Sequence, residues 1–219
     1  MRACKFLDAK YGLDTIQRRR LKQSRVADLN DPFELTPYDL TDFVLRMTFL
    51  KTREDIDKKR GLLCFSADWK NPVIWARYSD KHKGLCLGFE IPEMNEDPKS
   101  NTGRVKYLSK PLPFPNNFEE MSESEHDAFA RGAIFTKFEH WIYEKEIRVW
   151  SPLENEDAGL YFVPFGDNLR LAEVIKGQRC SVSNAQIVSA LGSLAGEVKI
   201  TKARAAYDKF EMVEDEQGP

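Results

Sequence analysis

The chain of 219 residues lacks a long hydrophobic run, and no stretch approaches the roughly 18 apolar residues that a membrane-spanning helix needs. The first residues, MRACKFLDAKYG, contain no hydrophobic signal core, so we expect a cytoplasmic protein with no membrane partner. The net charge is also small, because 33 Lys and Arg residues nearly balance 35 Asp and Glu residues. The overall charge of -2 gives no general case for binding nucleic acid or acidic membranes.

Cysteine and histidine are scarce as well. The four cysteines (Cys4, Cys64, Cys86 and Cys180) are widely separated and form no CxxC motif, which predicts reduced, buried thiols and no metal site. Three histidines at unrelated spacings give little support for a histidine metal site or a Ser-His-Asp triad. The P-loop, GxGxxG, GxSxG and HExxH motifs are missing too, which sets aside the chemistries that depend on them.

What is present indicates a folded α+β protein. Hydrophobic residues make up 42% of the chain and charged residues 31%, enough for a substantial core. Helix and strand patterns alternate over short connections, which predicts a mixed or mainly antiparallel sheet with flanking helices. We expect one domain over residues 1–212 and a flexible acidic tail over 213–219. The predicted elements include a strand at 2–6, a helix at 8–20, a helix from the Thr36 cap to Gly61, a helix opened by Asn71 and Pro72, a helix at 122–138, a strand at 141–150 and a helix near 183–192.

The stretch WIYEKEIRVW at 141–150 carries the strongest candidate site. In an extended strand, Glu144, Glu146 and Arg148 share one face, with the two glutamates about 6.6 Å apart along the strand. Carboxylates that close perturb each other's pKa when buried, and Arg148 offsets their charge. Alternatively, the three side chains face solvent and form cross-strand ion pairs worth about 0–1 kcal/mol each.

A second candidate is the aromatic pair Trp75 and Tyr78, one turn apart on the helix that begins at Pro72. The pair could stack on a planar ligand, but packing of the helix against the sheet is the more common use of such residues. Ser66, at the end of the strand GLLCFS, can donate to a ligand or cap the next turn, and the cap is again more common.

Several segments together resemble a known bacterial family. CKFLD, LNDPFE, LCFS, VIWARYSDKHKGLCLGFE and WIYEKEIRVW occur in the order found in the family called domain of unknown function 2971. The resemblance runs from about residue 3 to about residue 212. The succession of strand, helix, strand and late Glu-x-Glu strand is also similar to ADP-ribosyltransferases, which implies a fold of that type.

The resemblance implies roles for particular residues. Glu146 would match the glutamate that binds the ribose of NAD, and Glu144 the position that activates the acceptor. Arg148 would hold both glutamates in place.

The remaining implied residues would bind the dinucleotide. Ser66, Trp75 and Tyr78 are candidates for the nicotinamide pocket. The chain departs from the family at its first strand, where a Tyr-Lys-Tyr-Arg-like run is usual and Lys5 is the only cation retained.

The leading functional expectation is therefore an ADP-ribosyltransferase-like enzyme. It would use NAD as a substrate, need no metal, and modify a protein or nucleic-acid acceptor as a toxin or phage-defence effector. The alternative is a non-enzymatic binding or regulatory module of a toxin–antitoxin or defence system, with an antitoxin as partner and the Glu and Arg residues in a structural role. A hydrolase that uses the paired carboxylates ranks below both.

Overall fold

The computed structural model describes residues 1–93 and 100–216. Within these ranges the helices are α1 (Ala9–Arg18), α2 (Phe43–Asp57), α3 (Pro72–Tyr78), α4 (Glu123–Ile134) and α5 (Asn184–Leu191). The strands are β1 (Arg2–Leu7), β2 (Arg20–Gln23), β3 (Arg60–Ser66), β4 (Leu85–Glu90), β5 (Thr102–Arg104), β6 (Lys106–Leu108), β7 (Thr136–Phe138), β8 (Glu146–Pro152), β9 (Glu156–Asp157), β10 (Leu160–Pro164), β11 (Arg170–Lys176), β12 (Lys199–Ala205) and β13 (Met212–Glu214).

The chain divides into two compact units. Unit 1 consists of Met1–Lys22, Phe65–Glu93 and Val163–Pro219, and unit 2 of Gln23–Cys64 and Met94–Phe162.

Unit 1 is built on a sheet with strand order β13-β12-β11-β4-β1. β4 pairs antiparallel with both β1 and β11, whereas β11 and β12 run parallel. The central strand β4 is buried along LCLGF because it has neighbours on both sides. Gly88 leaves room in this strand: a Cβ there would lie 3.4 Å from the Arg2 guanidinium, which forms an ion pair with Glu173.

The helices of unit 1 begin at the residues that the sequence predicts. Asp8 caps α1 by accepting from the Tyr11 amide at 2.9 Å, and Asn71 caps α3 by accepting from Val73, with Pro72 in the first turn. Ser183 and Gln186 form a capping box at the start of α5. α1 packs against α5, and the buried side chains Ile16 and Ile187 contribute to this core.

Unit 2 contains the first five residues of β3, then β8 and β5 in that order, with β5 antiparallel to β8. β6 and β7 form a separate parallel pair in which Tyr107 lies opposite Lys137. A small core made of Val26, Leu35, Leu62 and Trp150 packs between these elements. α4 begins with a Ser122–Glu125 capping box.

The helix that we predicted from Thr36 to Gly61 is shorter in the structure. α2 begins only at Phe43, where Asp42 caps it by accepting from the Leu45 amide at 2.8 Å. The preceding residues are extended because they pair with the proline-rich loop: the Leu112 amide donates to the Pro37 carbonyl and the Asp39 amide to the Leu112 carbonyl, each at 2.7 Å.

The predictions for residues 122–150 also need correction. α4 ends at Ile134, and Thr136–Phe138 form the strand β7 instead of a last helical turn. The predicted strand at 141–150 is not one strand, because residues Glu139–Glu144 form a 3₁₀ helix and β8 starts at Glu146. Lys145 separates the two with a left-handed backbone (φ 44°, ψ 49°) that no regular strand contains.

At the level of fold class, the prediction of an α+β protein with a mixed, mainly antiparallel sheet and several helices is confirmed. A single domain over residues 1–212 stays a prediction. Val213 and Glu214, which we expected in a flexible tail, lie in β13, and residues 217–219 of that tail lie outside the described residues. Across the described ranges, every helix is too short or too polar to cross a bilayer.

Candidate functional site

The candidate site of unit 2 is a buried group of five charged residues, Glu34, Lys137, Glu144, Glu146 and Arg148, which we call the charge network. Three of them come from the segment that the sequence singled out. The left-handed conformation of Lys145 turns the chain between the 3₁₀ helix and β8, so that Glu144 and Glu146 both reach the network from different elements. The two glutamates are therefore neighbours, although not through the strand alternation that we expected.

The centre of the network is the pair formed by Glu146 and Arg148. Arg148 donates from Nε to Glu146 Oε1 at 2.8 Å and from Nη2 to Oε2 at 3.1 Å, a two-pronged geometry typical of strong Arg–carboxylate pairs. Arg148 Nη1 also donates to the Ile134 carbonyl at 2.6 Å. The Arg148 side chain is 0% exposed and that of Glu146 4%, so the pair is withdrawn from solvent.

Lys137 connects the two glutamates. Its ammonium donates to Glu144 Oε2 at 2.8 Å and to Glu146 Oε2 at 3.1 Å, and it lies 4.8 Å from the centroid of the Trp141 ring. Both oxygens of Glu146 are thus bound to cations. The Glu146 backbone amide donates to the Tyr107 hydroxyl at 2.8 Å, which fixes the start of β8.

Glu34 completes the network from the turn NDPFE. Arg148 Nη2 lies 2.8 Å from each Glu34 oxygen but is aligned for donation only to Oε1, so Oε2 is buried without a hydrogen bond. Lys137 Nζ is 3.4 Å from Oε1. The network therefore contains three carboxylates and two cations, an excess of one negative charge when all five groups are ionised.

Burial and pairing shift the pKa values of these groups in opposite directions. Burial raises the pKa of Glu34, and the charges of Arg148 and Lys137 offset this only in part. Burial also acts on Glu146, but Arg148 and Lys137 outweigh it and lower the pKa of Glu146 to about 2. Burial opposes the charges of Lys137 and Arg148, yet the surrounding carboxylates raise the pKa of both above their usual values.

This arrangement is suited to holding Glu146 as a fixed negative charge. A general base works best with a pKa near the working pH, whereas Glu146 stays ionised far below neutrality. Glu34 is the carboxyl group of the network whose pKa is raised, in the direction of neutral pH. Burial of the tyrosine, together with the nearby glutamates, raises the pKa of Tyr107 to about 12.

Sequence reasoning missed Glu34, Lys137 and Tyr107. Glu34 was noted only within the segment LNDPFE, and nothing local shows that its side chain is buried. Lys137 was assigned to the end of a helix, although the flanking Thr136 and Phe138 are residues typical of strands and could have indicated β7.

The other predicted site residues, Lys5, Ser66, Trp75 and Tyr78, lie in unit 1. Ser66 caps the turn that follows it, donating to the Asp68 carbonyl at 2.8 Å and accepting from the Asp68 amide at 3.2 Å. Trp75 is fully buried, packs edge-on against Phe6 at 5.0 Å, and donates to the Trp69 carbonyl. Tyr78 and Lys5 are half-buried. The proposed roles of Ser66, Trp75 and Tyr78 in the nicotinamide pocket, and of Lys5 in dinucleotide binding, stay predictions.

No cluster of three or more His, Cys, Asp or Glu side chains within the described ranges is arranged to hold a metal ion. The four cysteines are free thiols. Cys4 and Cys86 are buried, and Cys64 and Cys180 are half-buried.

Comparison with known proteins gives one match. Residues 74–149 match the model of a family described as Protein of unknown function (DUF2971). This range contains Lys137, Glu144, Glu146 and Arg148 of the charge network but not Glu34, and the match supports the resemblance drawn from the sequence motifs. No curated protein and no solved structure matches the chain.

Proposed function

We propose that the chain is a non-enzymatic binding or regulatory module, in which the charge network stabilises unit 2. The observation that carries this proposal is the state of Glu146. Both of its oxygens are occupied by Arg148 and Lys137, and the side chain is 4% exposed. Because the side chain is only 4% exposed, a ribose hydroxyl could reach this carboxylate only if the surrounding side chains moved.

The hydrogen bonding of Arg148 supports a structural role. Removing charges from water costs several kcal/mol per ion, and this cost is recovered only when the remaining hydrogen bonds are satisfied. Arg148 satisfies that condition, with donors to Glu146, to Glu34 and to the Ile134 carbonyl. The toxin–antitoxin or phage-defence setting of the module, with an antitoxin as partner, is supported by the family resemblance alone.

ADP-ribosyl transfer from NAD is the second candidate function. It is favoured by the position of Glu144 and Glu146 on one ammonium, which makes them neighbours as a Glu-x-Glu site requires. In this mechanism the ionised Glu146 would stabilise positive charge at the ribose anomeric carbon, as fixed carboxylates do in glycosyl transfer. Glu144 would take the proton of the acceptor, and Arg148 would hold Glu146.

One experiment separates the two functions. Purified protein is incubated with millimolar NAD carrying a label on its adenylate, alone and with whole-cell lysate, and both free nicotinamide and labelled macromolecules are measured. The binding module predicts no nicotinamide release above a protein-free control and no transfer of label. Nicotinamide release proportional to protein concentration together with transfer of label to a macromolecule, both reduced at least tenfold by Glu144→Gln at an unchanged melting temperature, would establish the transferase instead.

A further inference from the structure

Unit 2 contains a cavity of about 280 Å³ beside the charge network. Its wall is mostly apolar, formed by Phe33 and Pro37 from one segment, Leu108 and Pro111 from a second, and Phe138 from β7. Two aromatic side chains of this wall are accessible, since Phe33 is 64% and Phe138 39% exposed. Concave, largely apolar sites of about this size are typical of small-ligand binding.

The cavity wall is formed by a tight turn and by a pair of strands. Leu35 has a left-handed conformation (φ 60°) that is unusual for a leucine, and its side chain is anchored in the core of unit 2. This turn directs the chain so that Phe33 and Pro37 line the cavity while Glu34 enters the charge network. The opposite wall is held by the pairing of β6 with β7, which places Leu108 opposite Phe138.

The charge network lies directly behind this wall. Lys137 belongs to both, because it lines the cavity while its ammonium binds Glu34, Glu144 and Glu146. When Glu34 and the other four groups are ionised, the network has one negative charge in excess, and within protein this charge is screened less than it would be in water. Lys110 at the cavity edge carries the opposite charge, but its side chain is exposed, so solvent and salt screen it.

We propose that this cavity binds a small organic cation with an apolar body, of the alkylammonium or quaternary ammonium class. The exposed rings of Phe33 and Phe138 supply cation–π contacts, and the excess negative charge of the network supplies the long-range attraction. The inference rests on the proposed function in one respect: it expects a ligand that is bound and not turned over.

The test uses three probes of nearly equal shape: choline, its uncharged analogue 3,3-dimethyl-1-butanol, and the anion 3,3-dimethylbutanoate. Binding is measured by calorimetry and by changes in the amide NMR spectrum of the full chain. We expect choline to bind at least tenfold more tightly than either analogue, with shifted amides around Phe33 and β7. Equal affinity for choline and the alcohol, or no binding of choline at 10 mM, would overturn the proposal.

Two exposed phenylalanines give a matched pair of variants. Phe33→Leu keeps an apolar side chain but removes the ring, and should weaken choline binding about tenfold without changing the affinity for the alcohol. Phe43→Leu is the control, because Phe43 is 65% exposed on α2 and does not line the cavity. An equal effect of the two variants on choline binding would contradict the assignment of this cavity.

A third variant tests the origin of the charge preference. Glu34→Gln removes the excess negative charge from behind the wall and leaves the lining unchanged, so the choline-to-alcohol affinity ratio should fall at least threefold. An unchanged affinity ratio would show that the charge network does not cause the preference for a cation. The NAD experiment is independent of these results: nicotinamide release would defeat the proposed function, whereas failure of choline to bind would defeat only the cavity assignment.

Discussion

Glu34 and Glu146 are the same residue type within one network, yet their surroundings separate their behaviour. Glu146 accepts hydrogen bonds on both oxygens, and Glu34 on one. Sequence reasoning singled out Glu146 but not Glu34. The Glu-x-Glu-x-Arg spacing marks Glu146 and Arg148 because those residues are close in the chain, whereas Glu34 joins them from 114 residues away.

The first prediction contrasts Glu146→Gln with Glu34→Gln. A glutamine at 146 must turn an N–H toward Arg148 or Lys137, both donors, so we expect it to lower the free energy of unfolding by about 3 kcal/mol. A glutamine at 34 keeps one acceptor for Arg148 and removes the excess charge, so its effect should stay within about 1 kcal/mol. Urea unfolding of both variants at pH 7 measures this. Equal losses would show that the network does not distinguish its two carboxylates.

The second prediction concerns the stability that Glu146 contributes at low pH. The pKa of Glu146 is lowered to about 2 in the folded chain, below the value of about 4.3 for an unfolded chain. The stability that ionised Glu146 contributes is therefore present above the unfolded pKa and is lost as the pH falls toward 2. The difference in unfolding free energy between wild type and Glu146→Gln should narrow steadily from about pH 5 to pH 2. A constant difference over this range would contradict the lowered pKa.

At the scale of elements, residues 134–150 show the limit of pattern reading. The alternation of WIYEKEIRVW fits a strand throughout, and β8 confirms it from Glu146 onward. The first half forms a 3₁₀ helix instead, because a single left-handed residue at Lys145 separates it from the strand. Alternation cannot show such a residue, since lysine has no preference for that conformation. By contrast, α3 and α5 were predicted well because their caps are local in sequence.

The third prediction tests this junction. Lys145→Gly should be neutral or stabilising, by up to about 1 kcal/mol, because glycine adopts the left-handed conformation without steric cost. Lys145→Val should lower the free energy of unfolding by about 1–2 kcal/mol or more, because a β-branched side chain is strained there. Thermal unfolding of the two variants provides the comparison. If valine is tolerated as well as glycine, the left-handed turn is not what joins the 3₁₀ helix to β8.

At the scale of the whole molecule, the α+β class and mainly antiparallel sheet followed from the spacing of apolar runs and turns. The division into two compact units did not, because both units are discontinuous in sequence and no linker composition marks their boundaries. Each unit has its own buried side chains, with Ile187 in unit 1 and Leu62 in unit 2 among them. A core of its own is what allows a unit to open without the rest of the chain.

The last prediction is that the two units open separately. Amide hydrogen exchange of two matched core variants measures this. Leu62→Ala and Ile187→Ala each remove a fully buried side chain and should cost about 2–5 kcal/mol. If unit 2 opens alone, Leu62→Ala should speed exchange of the slow amides in β8 at least about 25-fold, since each 1.4 kcal/mol is a factor of ten, and leave those of β4 unchanged. Ile187→Ala should speed exchange of the slow amides in β4 and leave those of β8 unchanged. Equal acceleration of β4 and β8 in both variants would mean that the chain unfolds as the single domain that its sequence predicts, with the charge network stabilising the entire fold.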